Sequence, residues 1–382
     1  MALPNVNGCA SSGVAAGFAA RKSPRRRHDQ RPVTAFEAAG GWRTVLGSLA
    51  TRTDLDPDLA RGALADILSG NASDAVVGGF LVGLRAKGAT AAEVEALIDA
   101  MLAAALPLEL PDRDATVDIV GTGGSRLRQD KAFNVSTAAC FVVAGAGVAV
   151  CKHGNRKASS SSGSTDVLEA LGVAVELDGP AVARCVSEAG LGFALARVFH
   201  PAMRFAAPIR AQLAIPTIFN VLGPMSHPGG VTRQVIGVAD ETLAPMVIDV
   251  LRRRGAPRAM VVHGSDGLDE LTLSGPSTVH ELRDGEVEVR DVFPTDLGLT
   301  LVKTEDFGVG SPEATADALR DVLGGVGGPR RELVLLNAAA ALVVAGRADD
   351  LAAGLELAVR SVDSGAAADT LERVISVSTA TP

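Results

Sequence analysis

The chain has 382 residues, of which 47% are hydrophobic and 21% are charged, so it can bury a sizeable core and is longer than one compact domain usually is. Its formal net charge of −8 argues against nonspecific nucleic-acid binding, and no nucleic-acid partner is expected. No apolar run has the length and continuity of a membrane span, so no membrane partner is expected either.

The first 35 residues differ in composition from the rest. They are rich in Ala, Ser and Gly, and they then turn basic. The basic residues are Arg21, Lys22, Arg25, Arg26, Arg27 and Arg31. We predict a disordered extension over 1–35; an organelle transit peptide is the alternative, since a secretory signal would need a continuous apolar block.

The four cysteines show no Cys-x-x-Cys spacing of a metal or redox site. They are Cys9, Cys140, Cys151 and Cys185. Unpaired thiols of this kind predict a reduced, cytoplasmic protein.

The segment 36–108 has a helical pattern throughout and no strand signal. Asp56-Pro57 is typical of a helix N-cap followed by proline at the first helical position. Thr90 and Glu93 have the spacing of a capping box. The segment is predicted to be an all-helical domain of four short helices.

From Asp118 onward, short apolar strands alternate with helices. Predicted strands are DIV from Asp118, VAVC (148–151), VAVEL (173–177), VIGVA (235–239) and AMVVHG (259–264). Predicted helices lie at about 137–146, 165–172, 180–190, 243–254, 311–324, 331–345 and 349–363. Asp284-Gly285 between two alternating runs predicts a β-hairpin.

This alternation predicts an α/β fold with a mostly parallel central sheet covered on both faces. Residues 200–222 are helical again and are expected to pack back onto the first domain. The predicted organisation is a small all-α domain (36–108 plus about 200–222) and a larger α/β domain (115–199 and 223–378).

Two loops follow predicted strands and contain groups that suit a phosphate. GTGG at 121–124 lets backbone amides approach a ligand, and Asn134, Ser136 and Thr137 begin the next helix. The segment CKHGNRKASSSSGSTDVLEALG from Cys151 combines cations, amides and hydroxyls before a helix N-terminus. Although a glycine turn or a polar loop is common, the position after a buried strand favours a phosphosugar site.

Two further candidates are polar groups whose role depends on their neighbours. Asp269 and Glu270 are hard oxygen ligands suited to Mg²⁺, although such a pair alone is more often a solvated turn. Arg210 lies on the helical return segment and could bind a carboxylate in a bidentate fork. Helical spacing alone does not choose between Arg210 and Arg204.

Six motifs, in this order, resemble those of anthranilate phosphoribosyltransferases: DIVGTGG, FNVST, KHGNRKASSSSGSTDVLEALG, HPAMRFAAPIR, TIFNVLGP and HGSDGLDELT. The resemblance covers about 36–378, and Lys-His-Gly-Asn-Arg with its Ser-Gly-Ser tail is its most specific part. It implies a fold related to nucleoside phosphorylases and a homodimer formed through the helical domain. The implied reaction joins anthranilate to 5-phosphoribosyl 1-diphosphate and releases pyrophosphate, in tryptophan biosynthesis.

The resemblance also assigns roles to residues. Contacts to the phosphosugar are implied for Gly121, Gly124, Asn134, Ser136, Thr137, Lys152 and Ser164. Asn155 and Arg210 would hold anthranilate, with Arg210 on its carboxylate and His153 as a further contact. Neighbouring motif positions included in the substrate site are Ser125, Val135, Gly154, Arg156, Lys157, Ala158, Ser159 and Ser160.

Two Mg²⁺ ions per subunit are implied, one at Ser136 and Glu270 and the other at Asp269 and Glu270. The reaction needs alignment and charge stabilisation, so no single catalytic side chain is expected.

The loop after GTGG departs from the usual family pattern. Ser125 replaces an Asp, Ala132 replaces a Thr, and the loop is about three residues longer. Asp130 is a candidate for the lost carboxylate. Candidates for added anion contacts are Arg126, Arg128 and Lys131.

Two other functions remain open at this point. A pyrimidine nucleoside phosphorylase would share the fold, but Asn155-Arg156 after His153-Gly154 favours the anthranilate enzyme. A noncatalytic, nucleic-acid-binding relative would explain Ser125 and the basic N-terminus, but it conflicts with the acidic body.

Overall fold

A computed structural model of the protein describes residues 1–2, 34–123, 133–155 and 163–380. Five helices occupy the first part of the described chain: α1 (Ala35–Ala38), α2 (Gly41–Ala50), α3 (Pro57–Leu68), α4 (Asp74–Lys87) and α5 (Ala91–Ala103). Asp56 caps α3 by accepting the Asp58 N–H, and Thr90 and Glu93 form the predicted capping box of α5. The predicted helical region is confirmed, with α1 as an additional single turn.

A seven-stranded sheet forms the centre of the remaining chain. Its strands are β1 (Val117–Gly121), β2 (Val150–Gly154), β3 (Leu191–Leu195), β4 (Arg233–Gly237), β5 (Arg258–Gly264), β6 (Ser277–Arg283) and β7 (Glu286–Val292). Their order is β3-β2-β1-β4-β5-β6-β7, parallel through β5 and antiparallel for the last two. The mostly parallel sheet and the hairpin at Asp284-Gly285 are thereby confirmed.

The remaining helices connect and cover these strands. They are α6 (Val135–Gly145), α7 (Ser164–Ala170), α8 (Gly179–Ala189), α9 (Ala196–Phe199), α10 (Ala207–Leu213), α11 (Ile218–Met225), α12 (Ala244–Arg253), α13 (Pro312–Leu323), α14 (Pro329–Val344), α15 (Leu351–Asp363) and α16 (Ala366–Thr379). Within the described residues, no helix is both long and apolar enough to cross a bilayer.

Alternate residues of β4 pack into two separate cores. Val235 of β4 belongs to the cluster formed with α6 and the C-terminal helices. Its neighbour Ile236 belongs to the cluster formed with helices α2 to α5, α11 and α12. Because side chains along a strand point alternately to opposite faces, both faces of the sheet are covered, as expected for an α/β fold.

The return segment packs against the first helices, as predicted. Ile209 of α10 and Phe219 of α11 share one buried cluster with Phe80 and Leu84 of α4 and Leu97 of α5. Contacts unite the chain from Ala35 onward into one compact unit. The exact division into two domains stays a prediction.

Three sequence predictions need correction. VAVEL at 173–177 is not a strand: Val173 and Val175 are buried in the core, but this stretch has no ladder partner, and β3 is formed by 191–195 instead. Strand β2 is shifted toward the C-terminus, because Lys152, His153 and Gly154 continue the ladder with β3 and do not begin a loop. Helix α16 was not predicted, although its buried residues, among them Ala367, Leu371 and Val374, follow helical spacing.

Candidate active site

The candidate site lies where the chain reverses its progress across the sheet. From β1 the chain moves outward to β2 and β3, and it then returns to place β4 on the other side of β1. The carboxyl ends of β1 and β4 are in register, with Gly121 opposite Gly237. Open α/β sheets bind ligands in the crevice that such a switch point creates.

A chain of hydrogen bonds joins the three turns that the sequence singled out. The Lys152 ammonium on β2 donates to Ser136 Oγ at 3.3 Å and to the Ile119 carbonyl. The Ser136 N–H, in the first turn of α6, donates to Glu270 Oε1 at 3.4 Å. Segments 134 positions apart therefore meet at one place, as the strand-end argument predicts.

Asp269 lies directly against the two strand-end glycines. A Cβ on Gly121 would lie 2.1 Å from Asp269 Oδ2, and one on Gly237 would lie 1.8 Å from the Asp269 carbonyl oxygen. Asp269 Oδ2 also accepts the Gly123 N–H at 2.9 Å. Two residues without side chains therefore let the Asp269 loop approach the sheet closely.

Three buried histidines cluster beside Lys152. The His153 ring centroid is 5.1 Å from that of His200 and 5.6 Å from that of His227. Burial is the main cause that lowers the pKa of His153 well below its usual value and the pKa of His200 and of His227 to about 4. All three rings are thus neutral at pH 7.

Backbone groups fix the tautomers of these rings. His153 Nδ1 donates to the Gly223 carbonyl at 3.1 Å, and His200 Nε2 donates to the Ser226 carbonyl at 3.0 Å. The other nitrogens, His153 Nε2 and His200 Nδ1, are therefore acceptors. Both are buried without a hydrogen-bond partner among the described residues.

These elements enclose a cavity of about 270 Å³. Arg210 lines it, with its guanidinium 5.2 Å from the centre of the Phe219 ring, and burial lowers the Arg210 pKa. Arg204 lies outside the lining and stacks on Phe205. A larger cleft of about 700 Å³ adjoins the cavity at Thr122, Gly123 and Asn220.

The cavity thus joins a cationic and hydroxyl end, suited to phosphate, to an end with one arginine and aromatic neighbours.

Two protein-family profiles match the chain. The profile described as "Glycosyl transferase family, a/b domain" matches residues 113–368, and "Glycosyl transferase family, helical bundle domain" matches residues 43–105. An anthranilate phosphoribosyltransferase of Rhodopseudomonas palustris is 48% identical over 339 residues, which are 89% of this chain and 99% of the relative. The chain belongs to the anthranilate phosphoribosyltransferase family.

Solved structures agree with membership of this family. The crystal structure of anthranilate phosphoribosyltransferase from Thermus thermophilus has a TM-score of 0.82 and 39% identity, covering 88% of this chain and 99% of its own. The Saccharomyces cerevisiae enzyme in complex with PRPP and Mg has a TM-score of 0.79 and 28% identity, covering 90% and 98%. The chain is therefore a glycosyl transferase, and these relatives favour the anthranilate enzyme over a nucleoside phosphorylase or a nucleic-acid-binding protein.

The cavity lining includes most of the residues that the family resemblance implies. These are Gly121, Asn134, Ser136, Lys152, His153, Gly154, Asn155, Ser164, Arg210, Asp269 and Glu270. Val135 and Thr137 are buried at the start of α6 without lining the cavity. Their binding roles, like those of the lining residues, stay predictions.

Other expected site residues of the family pattern lie outside the described ranges. They are Gly124, Ser125, Arg156, Lys157, Ala158, Ser159 and Ser160, together with Ala132 and the replacement candidates Arg126, Arg128, Asp130 and Lys131.

Among the positions that sequence reasoning missed at the site of this family member, four supply a polar group or a close approach of the backbone. His200, Asn220 and Gly223 line the cavity, and all three lie inside motifs quoted above for other residues. Gly237 ends β4 beneath Asp269. Its only sequence signal is a glycine at the end of an apolar strand, which resembles any strand terminus.

Proposed function

We propose that this chain transfers the phosphoribosyl group of 5-phosphoribosyl 1-diphosphate to the amine of anthranilate, giving N-(5-phosphoribosyl)anthranilate and pyrophosphate. The proposal includes action in tryptophan biosynthesis, in the cytoplasm, by a homodimer. The observation that carries it is the single cavity in which Lys152, Ser136 and Glu270 meet Arg210.

The Lys152 end of the cavity suits the phosphosugar. Its ammonium lies beside the first turn of α6, where backbone N–H groups and the helix dipole favour an anion. Asn134 caps this helix by position, and its buried Oδ1 makes no hydrogen bond within the described part of the chain. An amide left in this state gains a partner when a hydroxyl-rich sugar binds.

The oxygen groups at this end suit Mg²⁺. Asp269 and Glu270 are 3% and 5% exposed, and Ser136 is hydrogen-bonded to Glu270 through its N–H. Within the described residues, no group of three or more His, Cys, Asp or Glu side chains is placed to hold a metal ion, so two carboxylates and a hydroxyl would share a cation with phosphate oxygens. The yeast relative was solved with PRPP and Mg, which supports the metal; two ions per subunit is part of the proposal.

Bound Mg²⁺ would neutralise charge that develops on the departing pyrophosphate. Ser136, Asp269 and Glu270 would hold it.

The other end of the cavity suits anthranilate. Arg210 is fixed over Phe219 and offers a planar fork to the carboxylate. Asn155 and His153 line the same space. A related structure contains 4-fluoroanthranilate, which supports an aromatic acid as ligand.

The residues present align the reactants and stabilise charge. The anthranilate amine is already a nucleophile, so the main task is to hold it about 3 to 3.5 Å from C1 of the ribose. The acceptor nitrogens of His153 and His200 can take hydrogen bonds from the amine but have no proton to donate at pH 7. The amine therefore meets no protonated imidazole on this side of the cavity.

Loss of anthranilate fluorescence on adding 5-phosphoribosyl 1-diphosphate and Mg²⁺ tests the proposal. Turnover is expected, whereas phosphate with a pyrimidine nucleoside should give no product. A folded chain that leaves anthranilate unchanged would contradict the proposal.

The variants Arg210→Lys and Arg204→Lys test the assignment of the carboxylate. Arg210→Lys keeps the charge but loses the fork, so the KM for anthranilate should rise roughly tenfold or more while the KM for the phosphosugar is kept. Arg204→Lys is the matched control and should change neither KM by more than about twofold. Equal effects of the two variants would remove Arg210 from the proposed site.

A further inference from the structure

The Asp118 carboxylate lies beneath the cavity and has no part in the proposed substrate contacts. It lies on β1, three positions before Gly121, and is fully buried. One oxygen, Oδ1, accepts the His153 N–H of β2 at 3.1 Å. The other, Oδ2, accepts from Gln234 Nε2 of β4 at 3.3 Å. A single side chain therefore joins the two strands on either side of its own.

Both hydrogen bonds continue to the wall of the cavity. Gln234, which is 2% exposed, also donates from Nε2 to the Pro224 carbonyl at 2.8 Å. His153 donates from Nδ1 to the Gly223 carbonyl at 3.1 Å. Gly223 and Pro224, at the end of α11, both line the cavity. Asp118 is thus linked to the last turn of α11 by two chains of hydrogen bonds, one through His153 and one through Gln234.

Asp118 also affects the phosphosugar end through charge. Burial raises the pKa of Asp118 to about 7, while the attraction of the Lys152 ammonium and three hydrogen bonds lower it. Because both of its oxygens accept hydrogen bonds from neighbouring donors, the ionised form matches this environment. A buried carboxylate costs more free energy than an apolar side chain of the same size, so packing alone does not explain it.

We propose that Asp118 is a positioning residue for both substrates: it holds Lys152 and His153 in place on β2 and, through Gln234, the Gly223–Pro224 turn. The inference rests on the proposed function, because the two ends of the cavity are defined by its two substrates.

Asp118→Asn tests the whole arrangement. The Asn oxygen can still accept the His153 N–H, but its amide nitrogen would face Gln234 Nε2, donor against donor. Gln234 can relieve this by turning its amide, and the Pro224 carbonyl then loses its donor. With the charge beside Lys152 also removed, the KM values for both substrates should rise roughly tenfold, the effect of losing one hydrogen bond to a charged group.

Gln234→Met tests only the connection that runs from Asp118 through Gln234 to the Pro224 carbonyl. It removes the donor to the Pro224 carbonyl and to Asp118 Oδ2, and it leaves the bond from His153 N–H to Asp118 Oδ1 in place. The KM for anthranilate should rise several-fold, and the KM for the phosphosugar should stay within about twofold of the wild type. This split between substrates is a readout that a general loss of stability would not produce.

Ser378→Ala is the matched structural control. Ser378 Oγ is buried in α16 and accepts the Ala174 N–H at 3.1 Å, in a part of the chain that does not line the cavity. This variant should melt at a lower temperature and keep both KM values.

The wild type is assayed first. Its failure to turn over would contradict the proposed function and this inference together. Wild-type turnover with both KM values unchanged in Asp118→Asn and Gln234→Met would overturn the positioning role alone. If Asp118→Asn fails to fold, the Gln234→Met split decides: a selective rise in the KM for anthranilate supports the role, and equal KM values for wild type and variant reject it.

Discussion

The parallel and antiparallel parts of the same sheet differ in what they do with polar groups. In the parallel part, strand ends bring buried polar residues to a cavity, as with Lys152 and His153 at the end of β2. In the β6–β7 hairpin, charged residues pair with each other and do not line this cavity, as Arg290 does with the buried Glu281 and the exposed Glu288. The hairpin also leaves Val287 and Val289 38% and 56% exposed.

The difference follows from connectivity. Parallel strands need crossover helices, so several carboxyl ends and helix N-termini meet at one edge. A hairpin turns back within two residues, here Asp284 and Gly285 with φ of 53° and 90°, and brings only its own neighbours together. A substitution should therefore have functional effects in the first region and small, local effects in the second.

Gly237→Ala should produce the largest effect. Its Cβ would overlap the Asp269 carbonyl oxygen, which is backbone and cannot rotate away. We expect a loss of stability of about 1–3 kcal/mol and, from displacement of the Asp269 loop, a drop of about 100-fold in kcat/KM. Urea unfolding and steady-state kinetics measure both quantities.

Gly47→Ala in α2 is the control for this change, because nothing lies within 4 Å of its Cβ. It should be neutral or stabilising by about 0.5–1 kcal/mol. Wild-type kinetics in Gly237→Ala would show that the close approach at β4 does not position the site.

His227→Asn should change the dependence of stability on pH. The folded-state pKa of His227 is lowered to about 4 from an ordinary value of 6.5, so its contribution is fully present above pH 6.5 and is lost as the pH falls through 4. The wild type should therefore lose on the order of 3 kcal/mol more than the variant between pH 6.5 and pH 4. Urea unfolding at several pH values measures the difference.

His280→Asn on β6 gives the hairpin counterpart. Burial lowers the His280 pKa as well, but Glu241 opposes the shift. His280→Asn should reduce the pH dependence of the unfolding free energy less than His227→Asn does. The reverse order would contradict the contrast between the two regions.

Val289→Thr should have the smallest effect. The side chain is 56% exposed on the edge strand β7, so we expect a change in unfolding free energy below about 0.5 kcal/mol and unchanged kcat. Val235→Thr on β4, where the valine is 3% exposed, is the counterpart and should cost about 1–3 kcal/mol. Similar losses of unfolding free energy in both variants would contradict the distinction between the parallel strands and the hairpin.

Features with local causes could be predicted from the sequence. The capping box of α5 and the Asp56 cap of α3 depend on residues within one turn, and the hairpin turn depends on two residues. Strand β3 could not be distinguished from VAVEL, because both are short apolar runs and only 191–195 finds a partner in β2.

The same distinction applies to the site. That Lys152, Ser136 and Glu270 meet follows from the rule that ligands bind at strand ends. The roles of Gly237 and Asp118 depend on partners that are distant along the chain, Asp269 for the first and His153 and Gln234 for the second. No pattern of neighbouring residues signals such a contact.

The hydrogen bond from the Gly123 amide to Asp269 Oδ2 has a consequence for spectroscopy. A carboxylate that also binds Mg²⁺ is a weaker hydrogen-bond acceptor for the Gly123 N–H. The chemical shift of this amide proton then moves toward higher field. If Asp269 holds Mg²⁺ as proposed, one backbone resonance of Gly123 would report the titration of that cation, independently of turnover.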